Sequence, residues 1–141
     1  MKKSILSLLF IILIISISFA QVPKNCIRVN SGEIIPKAIK LMDDGKLEES
    51  EQLLLSVLFD DTLFYWSQYE LALLNYDQEK YEKALEILSS IGVTSSAGFN
   101  LMGNTYSDLN QYQKAFDTYD EGLQIYKYNN QLNFNKGIVY L

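Results

Sequence analysis

The chain has no histidine and one cysteine, Cys26. The first absence removes the side chain that most often handles protons and metals near neutral pH. The second rules out an internal disulfide, so the core must be held by packing. A lone thiol without an activating base beside it is a poor nucleophile. Arginine occurs once, as Arg28. A phosphate backbone needs clustered Lys and Arg, so nucleic acid and anionic lipid are disfavoured as partners. No glycine-rich phosphate loop is present, and Asp43-Asp44-Gly45 lacks the spaced ligands and terminal Glu of a calcium loop. Asp60-Asp61 reads as helix capping rather than as paired catalytic carboxylates. The expectation is a non-enzymatic chain without cofactor or metal.

What is present begins with a leader. Lys2 and Lys3 precede an apolar run from Ile5 to Phe19 that closes on Ser18-Phe19-Ala20. A positive start, a run of this length and small residues at its end describe a secretory signal peptide, residues 1–20. Cleavage after Ala20 leaves Gln21 first; the alternative is an uncleaved anchor. The run is short of the roughly 20 apolar residues of a spanning helix. Pro23-Lys24-Asn25 before Cys26 does not suit lipidation. Of the 12 basic residues, 2 are in the leader, leaving 10 against 17 acidic ones, a net −7. The expected location is periplasmic or secreted, with no membrane span after cleavage. Residues 21–30 read as a tether.

From Ser31 onward, apolar residues recur at helical spacing. Ser31 is an expected N-cap with Glu33 in the first turn. Ile34, Ile35, Ala38, Ile39, Leu41 and Met42 form a stripe that Asp43-Asp44-Gly45-Lys46 interrupts. Leu47, Ser50, Leu53, Leu54, Val57 and Leu58 resume it. Asp61 or Thr62 is expected to cap a third helix that runs to about Tyr76. Asp77 to Lys80 is a turn, and Tyr81, Ala84, Leu85, Leu88 and Ile91 line a fourth helix. A joint is expected from Ser89 to Ser96, after which the pattern restarts at Phe99. It turns at Leu109-Asn110-Gln111 and runs from Tyr112 to about Tyr126. Asn129-Asn130 breaks it before one last helix. No sustained alternation of the strand type appears.

The segments superpose. Gly45 to Ser50 aligns with Glu79 to Ala84 and with Asn110 to Ala115. Ser50 to Ala84 is 34 residues, Ala84 to Ala115 is 31, and Gly103 to Gly137 is again 34. In the best-formed unit Phe99, Met102, Gly103 and Tyr106 are followed by Ala115 and Tyr119, with Gly122 in the next small position. Small residues let two helices approach, and aromatics fill the wedge beside them. Ala38 with Ser50, and Ala72 with Ala84, repeat the small pair in the earlier units.

These residues resemble the tetratricopeptide repeat family, whose consensus runs W-x₂-L-G-x₂-Y…A-x₃-F…P over 34 residues. The closing proline is absent, and Lys127 stands there. The second unit has Gln68 and Asn75 where aromatics are usual, and the first has Lys37 off-pattern. The resemblance implies an all-α, right-handed α-solenoid over 31–141, with units at about 31–62, 65–95 and 96–129 and a partial unit at 130–141. It implies a protein or peptide partner held in a concave groove. The groove residues it implies are Ile35, Ile39 and Met42; then Trp66, Tyr69, Leu73 and Tyr76; then Asn100, Asn104 and Asp108. Trp66 and Tyr69 suit an interface centre. Asn100 and Asn104 are one turn apart and suit a peptide backbone. For the aromatics, packing against a neighbouring helix is the competing reading. Ile35, Ile39 and Glu70 stand where a carboxylate clamp wants Lys or Asn, so an apolar peptide or a partner helix is the expected ligand. The apolar ending Ile138-Val139-Tyr140-Leu141 leaves two expectations open: a piece of a larger signalling or envelope-assembly protein, or self-association through the partial unit.

Overall fold

The computed structural model describes residues 31–59 and 61–139. The leader with its cleavage point, the tether and Cys26 lie outside them. Among the described residues there are seven helices and no strand: α1 (Ser31–Asp43), α2 (Leu47–Leu55), α3 (Phe64–Asp77), α4 (Tyr81–Ile91), α5 (Ser96–Asp108), α6 (Tyr112–Ile125) and α7 (Asn130–Ile138). None of them is long and apolar enough to cross a membrane.

The pairs α1–α2, α3–α4 and α5–α6 are antiparallel hairpins, and their three turns are built alike. Each has one residue in the left-handed region: Gly45 at φ +74°, Glu79 at +59° and Asn110 at +58°. Each closes with the same two backbone bonds. Gly45 N–H donates to Met42 and Lys46 N–H to Leu41. Glu79 and Lys80 repeat this on Tyr76 and Asn75, and Asn110 and Gln111 on Ser107 and Tyr106. This is the paired C-terminal cap that ends a helix and redirects the chain. The second helices then start on Lys46, Lys80 and Gln111 without a side-chain cap. One turn later Ser50, Ala84 and Ala115 are fully buried against the first helix.

The joints between hairpins are capped instead by side chains. Ser95 accepts from Gly98 N–H at 3.0 Å, and Asn129 accepts from Leu132 N–H at 2.9 Å. The first joint departs from expectation. The third helix starts at Phe64, and its N-cap Leu63 contributes no side-chain bond. Asp61 acts before the helix, accepting from Leu63 N–H and from the Ser31 hydroxyl at 2.8 Å each. The Ser31 hydroxyl thus ties the first joint to the start of α1. The expected joint from Ser89 to Ser96 is shorter: α4 continues through Ile91, and α5 starts at Ser96, three residues before Phe99. The Leu88 face extends the helical stripe to Ile91, and only Gly92, at φ +63°, stops it.

Among the described residues the core is a chain of three clusters rather than one centre. Ala38, Leu54, Leu71 and Leu74 join the first two hairpins. Ala72, Leu88 and Leu101 join the second and third. Phe99, Ala115, Tyr119 and Leu132 join the third to α7. Each hairpin therefore buries its apolar face on the next, the logic of a solenoid. The backbones of the first helices approach in sequence, α1 to α3 to α5 to α7, whereas those of α2, α4 and α6 stay apart, with the Lys83–Glu51 ion pair reaching from α4 to α2. The stack therefore curves with its first helices on the inner face.

Buried polar side chains are satisfied locally. Ser50 donates to the Ala38 carbonyl at 2.9 Å, Asn75 to Leu71 at 2.7 Å and Thr105 to Leu101 at 2.6 Å. Among the described residues no buried side-chain nitrogen or oxygen lacks a partner.

Candidate functional site

Helical spacing puts every third or fourth residue of α1, α3, α5 and α7 on the inner face. Along α1 this row is Ile35, Ile39 and Met42, with Ile39 exposed and Met42 packed against the first cluster. Along α3 it is Trp66, Tyr69, Leu73 and Tyr76. Trp66 keeps 48% of its surface exposed. Tyr65 and Tyr69 meet its ring edge-on, at centroid distances of 6.1 and 6.2 Å. Such edge contacts hold a large ring still while leaving a face open. Tyr69, Leu73 and Tyr76 each give one side to the Ala72–Leu88–Leu101 cluster, so these residues serve packing and surface together. Burial, and then the nearby Glu70 carboxylate, hold the Tyr69 phenol above its ordinary pKa.

Tyr65 sits just outside this row. Its phenol bonds the Ser95 hydroxyl at 3.2 Å and accepts from Thr94 N–H at 3.4 Å. Burial alone raises its pKa, but these hydrogen bonds outweigh burial and leave it lowered. The ring that flanks Trp66 is thereby anchored to the next joint.

The α5 half is different. The Asn135 amide on α7 donates to both Asn100 at 2.7 Å and Asn104 at 2.9 Å. The Tyr119 hydroxyl donates to the same Asn104 oxygen at 2.7 Å. Tyr76 on α3 donates to Asp108 at 2.6 Å. The amide oxygens that face the groove here are therefore already engaged across neighbouring helices. Burial and Asp108 push the Tyr76 phenol up, and the same causes push Tyr119 to about 12. An open pocket remains where Tyr76, Asn104, Asp108, Asn135 and Ile138 meet. Asn135, Phe134 and Ile138 of α7 were not among the sequence-derived groove residues. The Gly103-to-Gly137 spacing places Phe134 and Ile138 in register with Asn100 and Asn104 and was enough to locate them.

The packing residues lie between the hairpin's two helices. A Cβ built on Gly103 falls 2.3 Å from the Tyr119 ring, far inside any contact. Phe99, Ala115 and Tyr119 are buried, with Tyr106 packed at their edge and Met102 against the preceding cluster. Ala72 and Ala84 are fully buried in the second hairpin. Among the described residues no group of three His, Cys, Asp or Glu side chains gathers to hold a metal.

No protein-family model matches the sequence, and no curated protein matches it. Solved structures do. The chain superposes on a tetratricopeptide repeat protein from Parabacteroides merdae with TM-score 0.69 and 21% identity, over 77% of this chain. It spans 45% of that protein's chain. The Sgt2 TPR domain from Aspergillus fumigatus gives 0.69 at 14% identity, over 79% of this chain and 78% of that one. YrrB, described as a TPR protein with an unusual peptide-binding site, gives 0.65 at 17% identity, over 85% and 65%. The chain has the tetratricopeptide-repeat fold, an all-α helical solenoid.

Proposed function

We propose that this chain is an exported, non-enzymatic scaffold that holds an apolar peptide or a partner helix on the inner face of α1 and α3. The observation that carries the reading is Trp66: exposed, braced edge-on by Tyr65 and Tyr69, and on the same curved face as Ile39. Large amphipathic rings held in place lose little entropy on binding and shed much water, which is why they concentrate at interface centres. The α5 half, with its amides spoken for, sets the end of the apolar stretch rather than contributing donors. The likeness to YrrB, named for its peptide-binding site, supports a peptide as the ligand class. The lysine-led apolar leader supports export, and an N-terminus at Gln21 on protein recovered from the source cell envelope is the expected result.

Trp66 is the chain's one tryptophan, so its emission reports directly on this surface. Peptides selected on the purified chain from a random library should be apolar and should shift that emission to the blue. A Trp66→Ala/Tyr69→Ala chain should lose them, while Asn100→Ala should keep them. Selected peptides that bind the double variant as tightly as the parent defeat the proposal.

A further inference from the structure

At the end of the inner face away from Trp66 is an open cavity of about 100 Å³. Its walls include Tyr76 of α3, Asn104, Ser107 and Asp108 of α5, Tyr119 of α6 and Asn135 of α7. It lies between helices, inside the stack; a continuation of the solenoid would cover the opposite side of α7. Pockets that take a whole small molecule run to roughly 300–1,000 Å³, so this one suits the head of a single side chain. The lining has given most of its protons away. Tyr76 donates to one oxygen of Asp108 at 2.6 Å, and Tyr119 donates to Asn104 at 2.7 Å. The Asn135 amide is used on Asn100 and Asn104. These groups have acceptor capacity left: the second Asp108 oxygen and the lone pairs of both phenols. The Ser107 hydroxyl can turn either way, and the Asn104 amide nitrogen is neutral. Asp108 is the one charged residue of the lining. It is exposed, and among the described residues no Lys or Arg pairs with it. Its charge is felt across the cavity, where burial first and then Asp108 raise the Tyr119 phenol. The inner helices add to it: α5 ends on Asp108, and α3 ends one residue past Tyr76. Helix C-termini carry partial negative charge and favour cations. A single carboxylate is too few for a metal, and no metal-binding group forms among the described residues.

We propose that this cavity receives an ammonium group of the peptide held on the inner face, with Asp108 pairing its charge and the Tyr76 and Tyr119 oxygens accepting its N–H groups. The inference rests on the peptide reading above and adds one charge to an otherwise apolar ligand. An ammonium has three donors and no acceptor, the complement of what the lining has left. The chain's net −5 also draws a cation toward it. Position sets a spacing. Trp66 and Tyr76 are 10 residues apart on α3, about 15 Å along the helix axis. The cavity is one helix further on, about 10 Å to the side. The span is roughly 18 Å, which an extended chain covers in about five or six residues. A peptide with an apolar side chain on Trp66 therefore carries its ammonium about that many positions away. A lysine side chain and a peptide's amino terminus both offer this group, and the test separates them.

The test uses the purified chain, an Asp108→Asn chain and the peptides selected on the parent that shift Trp66 emission. Asp108→Asn keeps an oxygen for Tyr76 and should melt with the parent. Each peptide is resynthesised with its lysine replaced by norleucine, or with its amino terminus acetylated. One of these changes should weaken binding to the parent at least about tenfold, and which one does so identifies the source of the ammonium. The same change should matter little on Asp108→Asn, since the two groups then have no partner in each other. Peptides that shift the emission but are indifferent to both changes, or that lose as much on Asp108→Asn as on the parent, overturn the proposal and leave the Trp66 surface standing. A second measurement needs no peptide. Millimolar Nα-acetyl-lysine methylamide, added to the isotope-labelled chain, should move the NMR signals of the Asn104 side-chain amide. The norleucine analogue should not move them, nor should the amine move them in Asp108→Asn. Signals that move here while no peptide reaches Trp66 would keep the ammonium site and remove the groove reading. Signals that stay still, or that follow the norleucine analogue equally, overturn the proposal.

Discussion

The second and third hairpins show opposite uses of one architecture. The third fits the small-and-aromatic pattern best. Its Gly103 admits the Tyr119 ring, and its inner amides are closed by Asn135 and Tyr119. The second departs from the pattern, with Asn75 bonded back to Leu71 in place of an aromatic, and it carries the exposed Trp66. A hairpin that spends its side chains on its own packing has few left for a partner. The hairpin that looks poorest as a repeat is the one with surface to offer.

The sharpest way to break this comparison is Gly103→Leu. The side chain would enter the Tyr119 ring, which is buried and tied to Asn104, so a loss of about 3 kcal/mol is expected, at the upper end of overpacking. Thermal or urea unfolding measures it; a variant as stable as the parent would show that the two helices can separate freely. Asn135→Ala comes next. It removes two amide bonds from the last interface and should cost about 1–2 kcal/mol, with no change in peptide binding at Trp66. Loss of binding there would mean that the two halves of the groove are not independent. Glu79→Gly should stabilise by about 0.5–1 kcal/mol, because Glu79 sits at φ +59° where only glycine is unstrained. Asn110→Gly, at the equivalent turn, should give less, since asparagine tolerates that conformation better.

The smallest effect is expected from Glu70 and depends on pH. Burial holds its carboxyl above the ordinary value, so ionisation at neutral pH works against the fold. A carboxyl with a raised folded-state pKa gives stability that is present at acid pH and lost as pH rises through that value. Glu70→Gln should therefore melt slightly higher than the parent at pH 7, and the gap should close as pH falls through the glutamate range. At the alkaline end the same sign applies to Tyr119. Its phenol, held at about 12 against an ordinary 10, should make the third hairpin lose stability between those values, and Tyr119→Phe should flatten that loss.

The helices, the three turns and the small pairs were legible because each is set by residues within one repeat. Gly45, Glu79 and Asn110 align in the sequence and share one backbone conformation. The clasp on Asn100 and Asn104 was not legible, and neither was the Tyr76–Asp108 bond, because both join different repeats. Their separations carry a signal nonetheless. Ser31–Asp61, Tyr65–Ser95, Tyr76–Asp108, Lys83–Glu51, Tyr126–Thr94 and Asn135–Asn104 are all 30 to 32 residues apart. In a stack, each residue's neighbour in space lies about one period away. Polar pairs at that offset are where such a sequence should be searched. The boundaries at Ser89–Ser96 and Asp61–Phe64 escaped because a local glycine and a side-chain tie, not the apolar period, decide them.

The backbones of the inner helices meet from one repeat to the next, and those of the outer ones do not. Mechanically this makes a row of leaves hinged along a single spine. Splaying the outer edges stretches the partly exposed Lys83–Glu51 pair between α2 and α4, whereas twisting about the spine strains every inner pair. A ligand lying along the spine would meet the line on which the first helices of successive repeats come together.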